Sequence, residues 1–126
     1  MILIVIPAYN EEEKIGRVIR GLFEHGWKNV VVVDDGSSDQ TSAIARGEGA
    51  IVLRHRINRG QGAALETGDQ YALRHGAEAA VHFDGDGQFN PTDIRPAIEA
   101  LQKSGRAVLF GSRFLDNRSQ IPWLKR

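Results

Sequence analysis

Short apolar runs recur along the chain, and longer segments with mixed polar and apolar residues separate them. The five runs are Ile2–Ile6, Val30–Val33, Ala50–Leu53, Ala79–Phe83 and Ala107–Phe110. Near-continuous hydrophobicity over four or five residues is typical of strands that are covered on both faces, as in a parallel sheet. We therefore predict a strand at each run.

The segments between the runs carry apolar residues at steps of three and four, which indicates amphipathic helices. The predicted helices are Glu11–His25, Ser37–Arg46, Gly62–His75 and Pro91–Lys103. Asn10, either Ser37 or Ser38, and Asn90 are the predicted N-caps of the first, second and fourth. The alternation of strands and helices predicts a doubly wound α/β sheet with right-handed crossovers. We predict no regular element between Gly111 and Arg126.

Length and composition narrow the function classes. A chain of 126 residues predicts one domain, and its 16 basic residues balance its 16 acidic residues. This balance argues against binding of nucleic acid through bulk positive charge. The chain has no cysteine, which excludes disulfides, a thiolate nucleophile and a cysteine zinc site. Because no apolar run approaches the roughly 18 residues of a membrane span, we expect a soluble, intracellular chain.

Polar residues collect directly after four of the predicted strands. The clusters are Pro7–Glu11, Asp34–Asp39, Asp84–Gln88 and Gly111–Arg113. Each cluster alone has the composition of an ordinary turn. Ligands of open α/β sheets bind beyond the carboxyl ends of the strands, however, and all four clusters fall on that edge. Their coincidence favours a ligand site there.

The cluster after the fourth strand has the composition of a metal site. Asp84 and Asp86 are two residues apart, so both carboxylates can reach one hard divalent cation. Mg²⁺ and Mn²⁺ commonly take protein carboxylates together with substrate phosphates, and Gln88 can add a neutral oxygen. The alternative is an Asp-Gly turn that opens the next helix.

The cluster after the second strand has both a structural and a functional interpretation. Ser37 or Ser38 can cap the following helix, and Asp39 favours the positive end of its dipole. This leaves Asp34 and Asp35 at the strand tip unexplained. A carboxylate there can accept a hydrogen bond from a nucleobase N–H, and Asp35 is our candidate for that role.

The segment Asn58–Ala64 contains two glycines at the start of a predicted helix. It lacks the GxGxxG pattern and the Gly-Lys-Ser/Thr ending of a P-loop. We predict that its backbone approaches the ligand closely. The charged side chains around it are interpreted as a solvated surface: Arg54, His55, Arg56 and Arg59.

In order and spacing, five motifs together resemble those of family 2 glycosyltransferases, especially the dolichyl-phosphate mannosyltransferase and polyprenyl-phosphate glycosyltransferase branch. The motifs are Ile6–Glu12, Val33–Asp39, Asn58–Ala64, Asp84–Gln88 and Gly111–Arg113, and the resemblance covers residues 2 to 115. It implies a GT-A fold, which is Rossmann-like with a doubly wound, mostly parallel sheet. Gly85 stands where alanine is usual and Phe89 where histidine is common, and neither departure removes a ligand.

The resemblance also implies roles for individual residues. It implies a metal-dependent transfer, with inversion, from a nucleotide-diphospho-sugar such as GDP-mannose or a UDP-sugar. The nucleotide-binding residues it implies are Pro7, Tyr9, Glu11, Val33, Asp35, Asp84 and Gly85. Mg²⁺ or Mn²⁺ would be held by Asp84, Asp86 and Gln88. Arg113 and Lys125 would contact phosphates, and Asp86 and Arg113 would be the catalytic residues.

The implied acceptor is a polyprenyl or dolichyl phosphate, which is already anionic and needs no general base. A saccharide hydroxyl is the alternative acceptor, and it would need a carboxylate base. A second alternative is a nucleotide-sugar-binding module that does not turn over as this polypeptide. A sugar nucleotidyltransferase is disfavoured because no basic Gly-rich loop follows the first strand, and an aspartyl-phosphate enzyme because no aspartate ends that strand.

Catalytic domains of the resembling family are longer than this chain. We therefore expect residues 1–126 to be a single GT-A domain from the N-terminal part of a longer glycosyltransferase. That protein would associate peripherally with a membrane at its cytoplasmic face.

Overall fold

The computed structural model describes residues 1–83, 108–110 and 113–114. Its strands are β1 (Ile2–Ala8), β2 (Val30–Asp34), β3 (Ile51–Arg54), β4 (Ala79–His82), β5 (Val108–Phe110) and β6 (Arg113–Phe114). Its helices are α1 (Ile15–Glu24), α2 (Thr41–Gly47) and α3 (Gln61–Arg74). The five predicted strands are confirmed to within two residues at each end. The predicted helix Pro91–Lys103 and its cap Asn90 lie outside the described residues.

The six described strands form one sheet in the order β3-β2-β1-β4-β5-β6. The first five are parallel, and β6 is antiparallel to β5. From β3 at one edge the chain returns to place β4 beside β1, so the strand order reverses between β1 and β4. This is the switch point of a doubly wound sheet, and it confirms the predicted α/β, mostly parallel architecture.

The strand β6 corrects the prediction that no regular element follows Phe110. Arg113 pairs with Phe110, and Phe114 pairs with Leu109. The two residues carry no apolar run of their own, and their extended conformation comes with pairing to β5. A pattern-based prediction cannot detect a strand that depends on its partner in this way.

Helices cover both faces of the sheet, as the apolar runs predict. On one face, alternate strand residues such as Ile4 and Val32 form a buried cluster with Ile19 of α1 and Ala45 of α2. On the other face, Val5 and its neighbours pack with residues of α3. Every residue of β2 is buried. Among the described helices, none is long and apolar enough to cross a membrane.

Pairing of β1 with β4 stops before β1 ends, and Pro7 explains why. Pairing of β1 with β2 continues to Ala8 and Asp34, whereas pairing of β1 with β4 ends at Val5 and His82. The Phe83 amide still donates to the Val5 carbonyl at 2.8 Å. Proline has no N–H, so Pro7 cannot continue the ladder toward β4. Pairing of β1 with β4 therefore stops at the strand order's switch point before β1 itself ends.

The predicted caps of the first and second helices are wrong. Helix α1 begins at Ile15 with Lys14 at the N-cap, and α2 begins at Thr41 with Gln40 at the N-cap. Neither cap residue makes a side-chain capping bond. Asn10 instead adopts a left-handed conformation, with φ of 53°.

The polar residues expected to be caps join two loops instead. The Asn10 amide donates to Ser37 Oγ at 2.8 Å, and the Ser38 amide donates to Asn10 Oδ1 at 2.9 Å. The Glu11 amide donates to Thr41 Oγ1 at 2.9 Å. These bonds connect the segment after β1 to the segment after β2. These side chains therefore bond to the neighbouring loop, although residues of their types locally favour capping a helix.

Helix α3 packs against β1 through Gly68. A Cβ atom added at Gly68 would lie 2.2 Å from Val5 Cγ1, and Val5 is fully buried with a stiff β-branched side chain. We predict that Gly68→Ala lowers the free energy of unfolding by roughly 1–3 kcal/mol, since overpacking must displace β1 or α3. Urea denaturation measures this change.

Gly62 in the same helix supplies the matched control. A Cβ atom at Gly62 meets nothing within 4 Å. Gly62→Ala should leave the free energy of unfolding unchanged or raise it by up to about 1 kcal/mol. Equal stabilities of the two variants would contradict the close contact of α3 with β1.

Candidate functional site

A cavity of about 410 Å³ lies beyond the carboxyl ends of β1 and β2. Its walls come from the end of β1, from the segments after β1 and β2, and from the β3–α3 loop with the first turn of α3. The lining residues are Pro7, Ala8, Tyr9, Glu11, Asp35, Asn58, Gly60, Gln61 and Ala64. The structure thus brings four of the sequence-predicted nucleotide-binding residues together with the predicted Asn58–Ala64 segment.

Of the other predicted site residues, the structure describes the side chain of Val33 alone. Val33 is fully buried in the core cluster that packs under α3, and it is not among the lining residues. Arg113 lies in β6, where the structure describes its backbone pairing with Phe110. The remaining predicted residues, Asp84, Gly85, Asp86, Gln88 and Lys125, lie outside the described residues. Within the described part, no group of three potential ligands could hold a metal ion.

The Asp35 carboxylate holds the β3–α3 loop against the end of β2. Its Oδ1 accepts a hydrogen bond from the Arg59 amide at 2.8 Å, and its Oδ2 accepts one from the Gly60 amide at 2.8 Å. Asp35 is only 3% exposed. The loop therefore approaches the cavity through its backbone, as its glycines predict.

The environment of Asp35 favours its ionised form. Burial by itself raises the pKa of the Asp35 carboxyl. Hydrogen bonds from the Arg59 amide, the His55 ring and the Gly60 amide outweigh this effect, so the pKa lies below its usual range. At neutral pH the group is a carboxylate, which can only accept hydrogen bonds.

His55 is a site residue that the sequence analysis missed. The sequence predicts that His55 belongs to a solvated basic surface. In the structure the residue is buried, with 8% of its surface exposed. Its Nδ1 lies 2.8 Å from Asp35 Oδ1, and its Nε2 lies 2.8 Å from Thr67 Oγ1. The predicted parallel strands could have indicated this contact. Pairing of β2 with β3 places His55, the residue after β3, beside Asp35, the residue after β2. The interpretation of His55 as solvated is wrong.

Asp34 has a structural role that differs from that of its neighbour. Its fully buried carboxylate accepts hydrogen bonds from the Ser37 amide at 2.9 Å and from the Ser42 hydroxyl. Arg54 lies 3.9 Å from the same carboxylate and donates to the Ser37 carbonyl at 2.8 Å. Asp34 thus shapes the segment after β2, whereas Asp35 faces the cavity.

Gly36 permits the two loops to meet. Its φ is +78°, and a Cβ atom there would lie 2.6 Å from the Asn58 backbone nitrogen. Both the conformation and the space exclude a larger residue. In this Asp-Asp-Gly sequence, Asp34 binds the loop after β2 and Asp35 binds the β3–α3 loop. Gly36 leaves the space in which the two loops meet.

Asp39 generates a prediction about acid stability. Burial raises the pKa of its carboxyl, but the Thr41 hydroxyl and amide and the Glu12 amide outweigh this and leave the pKa below its usual range. A carboxyl whose pKa is lower in the folded state stabilises the fold above its unfolded value of about 3.9. That contribution is lost as the pH falls through the folded-state value.

We therefore expect Asp39→Asn to lose less stability on acidification than the unmodified protein does. Urea denaturation at pH values from about 6 down to about 2.5 measures the difference. The variant should be the less stable protein at neutral pH, because the amide cannot replace both acceptor oxygens. Parallel stability profiles for the two proteins would show that Asp39 carries none of the acid dependence.

Comparison with known proteins places these features in a family. Residues 3–126 match the sequence model described as Glycosyl transferase family 2. The chain is 35% identical to the UDP-N-acetylglucosamine–dolichyl-phosphate N-acetylglucosaminyltransferase of Methanococcus voltae, over 90% of this chain and 52% of that protein. It is 32% identical to the polyprenol monophosphomannose synthase of Mycolicibacterium smegmatis, over 96% of this chain and 48% of that protein.

A solved structure shares the fold. Glucosyl-3-phosphoglycerate synthase of Mycobacterium tuberculosis, in complex with Mn²⁺ and UDP-glucose, matches with a TM-score of 0.65 and 27% identity. The match covers 83% of this chain and 40% of that one. The chain spans about half the length of the curated relatives it matches. The predicted GT-A architecture and the predicted family are both confirmed: the chain belongs to glycosyltransferase family 2, and it is most similar to the polyprenyl-phosphate glycosyltransferases within it.

Proposed function

We propose that the protein is a metal-dependent, inverting glycosyltransferase that transfers a sugar from a nucleotide-diphospho-sugar to a polyprenyl or dolichyl phosphate. The observation that carries this proposal is the ionised Asp35 carboxylate on the wall of a cavity beyond β1 and β2. Two relatives with more than 30% identity are named for transfer to a lipid phosphate or for synthesis of such a product. Such an acceptor would bring the whole protein to the cytoplasmic face of a membrane.

The cavity has the size and chemistry of a nucleoside site. Its volume of about 410 Å³ falls within the range of roughly 300–1,000 Å³ that is usual for small-ligand pockets. Asp35 supplies an acceptor for a base N–H. Tyr9 is 48% exposed beside it and can present an aromatic face to the base. We assign the donor nucleoside to this cavity, with Pro7 and Glu11 on its wall.

The metal ligands in this proposal are Asp84, Asp86 and Gln88. They begin directly after Phe83, whose amide is bonded to the Val5 carbonyl of β1, two residues before Pro7. Two carboxylates and an amide oxygen fit the preference of Mg²⁺ and Mn²⁺ for oxygen ligands. When bound, such an ion neutralises charge on the donor diphosphate.

The chemistry follows from the charges of the reactants. Cleavage of the bond between the anomeric carbon and the donor phosphate oxygen leaves a negative charge on the diphosphate, and Arg113 and Lys125 are assigned to contact phosphates. The acceptor phosphate oxygen attacks the anomeric carbon from the opposite face, so the configuration inverts. That oxygen is already anionic, and the transfer therefore needs no general base.

Tyr9 gives a test of the nucleoside assignment that is separable from folding. We predict that Tyr9→Ala weakens binding of the donor nucleotide by roughly 5-fold to 150-fold, because base–aromatic stacking contributes about 1–3 kcal/mol. Its side chain is half exposed, so the midpoint of thermal unfolding should hardly change. Tyr9→Phe keeps the ring and should retain binding. If Tyr9→Ala bound the donor nucleotide with unchanged affinity, Tyr9 would not contact the base.

Asp86 gives a test of the metal assignment. We predict that Asp86→Ala abolishes the dependence of donor-nucleotide binding on Mn²⁺, as measured by titration calorimetry with and without the ion. Asp93→Ala, which removes an aspartate seven positions further along the chain and outside the motif, is the matched control and should keep that dependence. If Asp86→Ala retained Mn²⁺-dependent binding of normal affinity, the metal would have other ligands.

A further inference from the structure

Residues 56–59 form an exposed tip of the β3–α3 loop, and we call this segment the loop tip. Before it, His55 is buried, and its Nδ1 lies 2.8 Å from Asp35 Oδ1. At its end, the Arg59 amide donates to the same oxygen at 2.8 Å. All four residues of the loop tip are exposed. The loop tip is therefore a short surface segment that is anchored on both sides.

An apolar side chain lies at the centre of the loop tip. Ile57 is 70% exposed, compared with 48% for Tyr9 on the cavity wall. The Ile57 backbone packs against the loop after β2, where a Cβ atom at Gly36 would lie 2.6 Å from the Ile57 carbonyl carbon. The packed backbone thus presents the side chain to solvent. Transfer of such a side chain into an apolar phase is favourable.

The loop tip also carries positive charge. Its arginines, Arg56 and Arg59, are both exposed, and positions 49–65 contain no acidic residue. The carboxylates beneath the loop, Asp34 and Asp35, are 0% and 3% exposed and accept hydrogen bonds within the protein. Both guanidinium groups are therefore placed to meet anionic groups outside the protein, and arginine suits phosphate because its planar donors can bind two oxygens at once.

We propose that the loop tip binds the surface of an anionic lipid bilayer, with Ile57 in the interfacial region and Arg56 and Arg59 on lipid phosphates. An apolar side chain beside basic ones is the usual chemistry of a peripheral membrane contact. Asn58, the residue after Ile57, lines the cavity. The contact therefore brings the rim of the cavity to the membrane. This inference rests on the proposed function, in which the acceptor is a lipid phosphate presented at that surface.

The distribution of charge around the cavity gives the contact a direction. A second cavity, of about 320 Å³, is formed by the segments after β1 and β2 and is mostly acidic. Its lining residues are Asn10, Glu11, Glu12, Glu13, Lys14 and Asp39. An anionic bilayer attracts the loop tip and repels this acidic surface. The side of the rim formed by the β3–α3 loop is therefore the one that approaches the membrane.

Two double variants with matched changes test the proposal. Arg56→Gln/Ile57→Ser removes a charge and the apolar side chain from the loop tip. Leu73→Ser/Arg74→Gln removes an adjacent apolar and basic pair at the carboxyl end of α3, the opposite end from the turn that lines the cavity. All four residues are exposed. The midpoint of thermal unfolding should therefore hardly change in either variant.

Sedimentation with lipid vesicles measures binding at an ionic strength of about 0.01 M, where the Debye length is about 30 Å. The unmodified protein should bind phosphatidylglycerol vesicles at least about 5-fold more tightly than phosphatidylcholine vesicles. Arg56→Gln/Ile57→Ser should bind phosphatidylglycerol at least about 10-fold more weakly, because it loses one electrostatic and one apolar contribution. Leu73→Ser/Arg74→Gln should bind as the unmodified protein does.

A spin label reports the depth of the loop tip directly. The chain has no cysteine, so Ile57→Cys and Leu73→Cys each provide a single attachment site. With phosphatidylglycerol vesicles present, the label at position 57 should become more accessible to oxygen, which concentrates in lipid, and less accessible to a water-soluble nickel complex. The label at position 73 should keep its aqueous response.

The outcomes separate this inference from the proposed function. Absence of binding to phosphatidylglycerol vesicles, equal binding to the two lipids, equal losses in the two double variants, or an aqueous label at position 57 would each overturn the membrane contact. Calorimetry with UDP, GDP, ADP and Mn²⁺ in lipid-free solution tests the proposed function by itself. Both double variants should keep nucleotide binding, because none of the changed side chains lines the cavity. If no nucleotide binds the unmodified protein, the proposed function is overturned whatever the vesicles show.

Discussion

A buried carboxylate is stable only where hydrogen bonds replace the water it has lost, and Asp35 imposes this constraint on the whole cavity. The donors that satisfy it come from the residues after β3, which are 20 to 25 positions further along the chain. The β3–α3 loop must therefore lie against the end of β2. Its position in turn sets where Asn58, Gly60 and Gln61 meet the cavity.

Three neighbouring residues set the conformation of the other segments around the cavity. Asp34 binds the segment that leads into α2, and Gly36 lets that segment touch the backbone at Asn58. Pro7 acts on the other side of β1 by ending its pairing with β4. The cavity lies beyond the ends of β1 and β2, the two strands whose pairing continues to Ala8 and Asp34.

The parts of the fold that were predictable from sequence are those governed by short apolar runs. The runs that form β1, β2 and β4 lie in buried central strands, so local hydrophobicity and tertiary environment agree there. The N-caps were not predictable, because Asn10 and Ser37 have better partners in each other than in the helices that follow. His55 was missed because a charged residue type near arginines indicates a solvated surface, and only strand pairing reveals its buried partner. The strand β6 was missed because its partner, and not its own sequence, makes it extended.

The reciprocal bonds between the loops also bear on how the site forms during folding. Asn10 and Ser38 are 28 positions apart, and Asp35 and Gly60 are 25 apart. None of these contacts can form within an isolated helix or turn, so each must wait until the two strands that precede its partners lie side by side. Opening the cavity wall would likewise break bonds that belong to several elements at once. Amides such as those of Arg59 and Gly60 are therefore part of a cooperative unit, although they lie in a loop, where exchange with solvent is usually fast.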